Sequence, residues 1–151
     1  MLAQDIMTPK VIYARPEDLI EDVARIMVEN KISGIPVIDQ EDKVIGIITE
    51  RDLITKAGDI KVPFYLTLFD SIIFLENPLK FNKTLKKYLA VQVKDAMTKK
   101  VYVAEADTKI SEIVEVMQDE KINRVPVVSK GKLVGIITRN DILKVLVKQH
   151  G

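Results

Sequence analysis

Residues 46–52 read GIITERD, and residues 135–141 read GIITRND. Each heptapeptide follows a hydrophobic-Pro-Val trio, Ile35-Pro36-Val37 in one case and Val125-Pro126-Val127 in the other. Upstream, Asp5-Ile6-Met7-Thr8 aligns with Asp95-Ala96-Met97-Thr98, and Met27 aligns with Met117. The offset is 90 residues through the Pro-Val pair and 89 beyond it, because DQEDK in the first copy is one residue longer than SKGK in the second. An internal repeat constrains the fold before any other feature, since each copy has the same apolar face to bury. Two copies are too few for a solenoid, so they are expected to pack on each other as a pseudo-symmetric pair.

Both copies carry the same order of signals. Val11-Ile12-Tyr13-Ala14 and Val101-Tyr102-Val103-Ala104 are short β-branched or aromatic runs and predict strands. Asp18 with Glu21, and Thr108 with Ser111 more weakly, mark helix starts. Ile20, Val23, Ala24, Met27 and Ile110, Ile113, Val114, Met117 then recur at i, i+3, i+4, i+7, which predicts amphipathic helices of about three turns. Two strands follow in each copy, Ile35–Ile38 with Val44–Ile48 and Val125–Val128 with Leu133–Ile137. They are nearly all apolar and are expected to be buried on both faces. Lys130-Gly131 suits a two-residue hairpin turn. A last helix begins near Glu50 and near Arg139, the second being the longer. The unit is β-α-β-β-α. The expected domains are repeat 1 over 1–56, an insertion over 57–93 and repeat 2 over 94–151.

The insertion has no counterpart elsewhere in the chain. It holds six of the eight aromatics: Phe64, Tyr65, Phe69, Phe74, Phe81 and Tyr88. Asn77-Pro78 reads as a helix start leading into a basic stretch, so the insertion is expected to be partly helical. It serves either as a packing appendage on the core or as a partner surface, and aromatics favour the first because they mostly bury somewhere.

Composition narrows the function. A net charge of +1 offers no electrostatic case for nucleic acid or for a membrane surface. The local lysines Lys80, Lys83, Lys86 and Lys87 read as a solvated face. There is no cysteine and a single histidine, His150, so no metal site is expected. The first residues show no signal-peptide pattern, and the most apolar run, from Val62 to Leu75, is too short to span a bilayer. A cytoplasmic location follows as the expectation. No nucleophile-base pair or catalytic carboxylate pair emerges, so an enzyme is not expected.

With GIIT-x-x-D after a hydrophobic-Pro-Val trio, twice and in the same order as Asp-x-Met-Thr, the sequence resembles the cystathionine-β-synthase (CBS) domain family in its tandem form, the Bateman module. The resemblance covers most of the chain outside 57–93. It implies an α+β fold of two pseudo-symmetric β-α-β-β-α repeats packed sheet to sheet, with two clefts between them. It also implies an adenine nucleotide (AMP, ADP or ATP) or S-adenosylmethionine as ligand, no required cofactor, and pairing into a homodimer. Such a module senses its ligand and regulates an unidentified partner in trans. The alternative is a ligand-free structural or dimerisation scaffold.

The residues suit a ribose-phosphate site in each cleft. Thr49 and Thr138 end a strand where the last helix begins, and a hydroxyl there can cap backbone amides or bind phosphate. Asp52 and Asp141, in the first helical turn, can accept ribose hydroxyls. As ordinary cap residues they need no ligand, but the matched pair tilts the balance toward one. By resemblance, the backbone of Gly34-Ile35-Pro36 and Arg124-Val125-Pro126 meets the adenine edge, with Ile35 or Val125 on its face. Ile47 and Ile136 are pocket wall or core. Arg124 stands where the first copy has Gly34, and by resemblance it reaches the phosphate of a ligand at Thr49 and Asp52. Arg51 and Arg139 flank the motifs and could compensate for a missing cation. Thr8 and Thr98 open each copy, where family members approach the base. Gly34 and Gly46 argue for an open first cleft. The Asp52 cleft is expected to bind more tightly.

Overall fold

The computed structural model of the chain describes residues 1–58 and 91–149. Most of the insertion expected over 57–93, with its aromatics, Asn77-Pro78 and its lysines, lies outside the described residues, as does His150. The elements run α1 (Ala3–Ile6), α2 (Ile20–Asn30), β1 (Gly34–Ile38), β2 (Val44–Thr49), α3 (Glu50–Gly58), α4 (Val93–Ala96), β3 (Ala104–Glu105), α5 (Ile110–Asp119), β4 (Arg124–Ser129), β5 (Lys132–Thr138) and α6 (Arg139–Gln149). β1 and β2 form one sheet, and β3-β4-β5 form a second in that order. β3 runs parallel to β4, and β4 antiparallel to β5, with Val125 opposite Ile137 and Arg124 opposite Thr138.

The helix and hairpin signals hold. Ile20, Val23 and Met27 are buried on α2, as are Ile113 and Met117 on α5. Ser129 and Lys132 pair across Lys130 and Gly131, whose φ values of 52° and 79° are both positive, as a tight hairpin turn requires. The first copy closes its longer loop with a side chain instead: Asp39 Oδ1 accepts the amides of Glu41 at 2.8 Å and Lys43 at 3.0 Å.

Three expectations need correction. The opening strands shrink. Ala14 makes only an isolated parallel bridge to Val37, and β3 is two residues long, because the chain meets the sheet edge only at the end of each apolar run. Val103, read as strand, is 47% exposed. The helix caps also shift: the N-cap positions are Leu19 and Lys109, with no side-chain cap bond. Asp18 and Thr108 close the preceding turn, accepting the amides of Arg15 at 2.8 Å and Glu105 at 3.0 Å. Finally, only the first strand of each hairpin is buried throughout its apolar centre. β2 and β5 alternate from Gly46 and Gly135 onward, with Ile48 and Ile137 buried but Ile47 and Ile136 half-exposed.

The chain divides into two compact units that cut across the repeats. One comprises Met1–Tyr13, Ile38–Ile45 and Lys100–Gly151, and the other Ala14–Val37 and Gly46–Lys99. Each unit thus holds the opening segment of one repeat beside most of the other. In the first, α1 docks at the start of α5: the amides of Ala3 and Gln4 donate to the carbonyls of Thr108 and Ala106, and the Ile110 amide donates to the Met1 carbonyl. Ala3 is fully buried there with Ile113, Met117, Val125, Val127 and Ile137. The second unit repeats the design, with Val93 and Lys94 donating to Asp18 and Pro16, and Ile20 donating to Val91. Just past each short helix, the chain forms a two-bond antiparallel bridge. Thr8 exchanges both amide bonds with Ile136, at 2.9 and 3.0 Å, and Thr98 does so with Ile47, at 2.8 and 2.9 Å.

Glycine permits this approach. A Cβ on Gly135 would collide with the Met7 side chain, its Sδ above all. A Cβ on Gly46 would lie 2.9 Å from both Met97 Sδ and the Thr98 carbonyl oxygen. Gly46 therefore admits the opening segment of repeat 2, which replaces its reading as a sign of open space. Alanine at either glycine should cost ~1–3 kcal/mol by overpacking. In urea denaturation, Met7→Ala should largely rescue Gly135→Ala. Met97→Ala should leave Gly46→Ala impaired, because the backbone carbonyl remains in the way.

Candidate functional site

In the Ala14–Val37/Gly46–Lys99 unit, β2 passes directly into α3, and the junction is closed by a reciprocal cap. Asp52 Oδ2 accepts the Thr49 amide at 2.9 Å and the Thr49 hydroxyl at 3.2 Å. In return, the Asp52 amide donates to Thr49 Oγ1 at 3.3 Å. Such a box satisfies amides that a helix start leaves without partners, and a carboxylate in the first turn also suits the helix dipole. The box uses one oxygen of Asp52. The other, Oδ1, accepts the hydroxyl of Thr98 at 2.9 Å. Both Thr49 and Asp52 are half-buried, and Ile47 lies beside them with one face open.

The unit containing repeat 2 builds the corresponding junction between β5 and α6, with the carboxylate's two bonds to the threonine but no return bond from the Asp141 amide among the described residues. Asp141 Oδ2 accepts the Thr138 amide at 2.8 Å and its hydroxyl at 3.0 Å. Thr8 is brought to this junction by its bridge to Ile136. Arg124, half-buried, begins β4 opposite Thr138.

The structure thus gathers Thr49, Asp52, Ile47 and Thr98 in one unit, and Thr138, Asp141, Ile136 and Thr8 in the other. Other named residues sit differently. Ile35 and Val125 are 1% and 2% exposed, so their side chains serve the core. Pro36 and Pro126 are also buried, and the Pro36 carbonyl accepts the Ala14 amide at 2.9 Å. Gly34 is buried at the start of β1. Arg51 and Arg139 are exposed in the first turns of α3 and α6. Sequence reading placed the opening threonines near a ligand but missed that Thr98 bonds Asp52 and that Met7 and Met97 pack on the facing glycines. The signal was present: Met-Thr and the glycine of GIIT are duplicated together. Among the described residues, no group of three or more acidic, His or Cys side chains is placed to hold a metal ion. No helix among them is long and apolar enough to cross a membrane.

The helix, hairpin and helix that occur in each repeat, with their matched Thr-x-x-Asp junctions, define a tandem repeat fold. The CBS domain family model matches residues 3–59 and 93–148, and the chain belongs to that family. It is 37% identical over 155 residues to the uncharacterized protein MJ1426 of Methanocaldococcus jannaschii, spanning 97% of this chain and 92% of that protein. It is also 35% identical to an inosine-5'-monophosphate dehydrogenase of the same organism, over 94% of this chain but only 23% of that enzyme. Among solved structures, CBSX2 in complex with AMP superimposes with a TM-score of 0.74 at 24% identity, covering 99% of this chain and 98% of that one. The CBS domain pair of MJ0100, in complex with 5-methylthioadenosine and S-adenosyl-L-methionine, gives 0.70 at 24% identity with the same coverage. At such identities the likeness establishes the fold.

Because each carboxylate accepts the amide and hydroxyl of the preceding threonine, Asp52→Ala and Asp141→Ala should each destabilise the chain by about 0.5–2 kcal/mol. Asn, which keeps one acceptor oxygen, should cost less than Ala at either position, as read from urea midpoints at constant slope.

Proposed function

We propose that the chain is a regulatory module that binds an adenine nucleotide or adenosyl compound at its two Thr-x-x-Asp junctions and acts on a partner in trans. The observation that carries this reading is that each carboxylate bonds the preceding threonine through Oδ2 alone and keeps acceptor capacity on Oδ1, shared with the Thr98 hydroxyl at Asp52, at a helix N-terminus beside a half-exposed strand residue. That oxygen can accept ribose hydroxyls, while the helix N-terminus and its Thr hydroxyl favour an anionic group. Arg51 and Arg139 extend from the same turns toward solvent and can meet phosphate. Arg124 is assigned, by resemblance, to a ligand phosphate. The backbone at Gly34–Pro36 and Arg124–Pro126 is assigned to the adenine edge, with Thr8 and Thr98 nearby. Further support comes from relatives of the same fold, one holding AMP and another holding methylthioadenosine and S-adenosylmethionine. Regulation follows if the ligand prefers one packing state over another, because a ligand shifts an equilibrium only by its differential affinity.

A scaffold reading has one observation in its favour. α6 buries no residue, and Leu143, Leu146 and Val147 on it are 51%, 48% and 73% exposed. An apolar stripe of this kind suits pairing into a homodimer, with or without a ligand.

A thermal-shift panel of AMP, ADP, ATP and S-adenosylmethionine separates the two readings. Ligand at a hundredfold excess over its dissociation constant should stabilise the wild type by about 2.7 kcal/mol per site. The double variant Asp52→Asn/Asp141→Asn should lose the shift, and Arg124→Ala should weaken only the phosphate-bearing ligands. A wild type that responds to none of the four would leave the scaffold reading in possession.

A further inference from the structure

The two junctions are alike in sequence but not in how their carboxylates are occupied. A carboxylate offers about four lone-pair positions, two on each oxygen. At Asp52, the Thr49 amide and hydroxyl take both positions on Oδ2, at 2.9 and 3.2 Å. The Thr98 hydroxyl takes one on Oδ1, at 2.9 Å. Among the described residues no other group bonds this carboxylate, which leaves one position. At Asp141, the Thr138 amide and hydroxyl again fill Oδ2, at 2.8 and 3.0 Å. Among the described residues, the Thr8 hydroxyl makes no matching bond to Asp141, so both positions on Oδ1 remain. The sequence around the two threonines differs too. Pro9 follows Thr8 and restricts its backbone to extended conformations, whereas Lys99 follows Thr98.

A ribose presents two vicinal hydroxyls, each of which needs an acceptor. We propose that Thr98 is a specificity-determining residue. Its hydroxyl occupies an acceptor position on Asp52, so the Asp52 junction engages one hydroxyl of a ribose and the Asp141 junction engages both. The inference rests on the binding reading above and deepens it. The Asp141 junction then requires a ribonucleotide, while the Asp52 junction tolerates a 2′-deoxyribonucleotide, whose remaining 3′-hydroxyl satisfies the single open position. Discrimination comes from the lost bond: a carboxylate that has given up water for two hydroxyls is left with an unmet acceptor when one is missing.

The test is calorimetric titration of the full chain with AMP and with 2′-deoxy-AMP. Comparing the pair cancels the contribution of the phosphate and of every cation that meets it. Asp141→Asn isolates the Asp52 junction, and Asp52→Asn isolates the Asp141 junction. Asn is close in shape and keeps an acceptor for the cap. The ratio of the two affinities should be about tenfold or more at the Asp141 junction and below about threefold at the Asp52 junction. Adding Thr98→Val to Asp141→Asn should raise the smaller ratio to about tenfold, whereas adding Thr8→Val to Asp52→Asn should leave the larger ratio at about tenfold, whatever it does to the two affinities themselves. Equal ratios at the two junctions, or a ratio indifferent to Thr98→Val, would overturn the role of Thr98 and leave the binding reading standing. No binding of AMP to the wild type or to either variant would overturn both.

Discussion

The structure depends on a close backbone contact made twice. A short helix at the start of each repeat delivers a threonine to the last strand of the other repeat's hairpin, where two amide bonds lock it in antiparallel register. Amide pairs at 2.8 to 3.0 Å need the backbones within reach of each other, and any side chain at Gly46 or Gly135 would obstruct the segment that carries the threonine. The contact also explains why the compact units are not the repeats. Neither β-α-β-β-α copy encloses its own apolar face with its own residues: Ala3, from the opening of repeat 1, is fully buried among Ile113, Val125 and Ile137 of repeat 2. A chain built this way has to carry both copies, because each supplies a piece of the other's core.

The same contact positions the candidate sites. A threonine bridged to Ile47 is held against the end of β2, and that strand runs straight into the capped start of α3. Thr98 therefore comes within hydrogen-bond range of Asp52 although 46 residues separate them. No local propensity brings such a pair together. It follows from strand pairing between segments far apart in sequence, whose stability is supplied by the apolar packing around them rather than by the two bonds alone.

What could be read from the sequence was whatever is local or periodic. The apolar stripe of Ile20, Val23 and Met27 marks a buried helix face by spacing alone, and Lys130-Gly131 marks a turn by the conformations it tolerates. Thr49 and Asp52 were legible as a matched pair because their spacing is that of a helix start. Asp18 misled, since a capping residue looks the same whether it caps a helix or closes the turn before it. The choice depends on where the chain bends, and here Asp18 sits one residue too early. Gly46 misled for a related reason: a missing side chain reads equally as space for a ligand or as space for the chain itself, and only the fold decides between them. Ile35 and Val125 look alike as pocket face or core until burial is known.

The Thr-Asp bonds at the two helix starts bear on how a carboxylate can serve both fold and ligand. An aspartate free in solvent would have to give up rotamer freedom before it could grip a sugar. Asp52 and Asp141 have already given it up to the helix start, because their Oδ2 atoms are fixed by two bonds each to Thr49 and Thr138. The orientation of each Oδ1 is therefore set in advance, and the cost of ordering it belongs to folding rather than to binding. This makes the two roles inseparable under truncation, since alanine removes the cap and the acceptor together. They part only under substitutions that keep the shape and change the acceptor count, which is why the number of lone pairs, more than the identity of the residue, decides what each junction can hold.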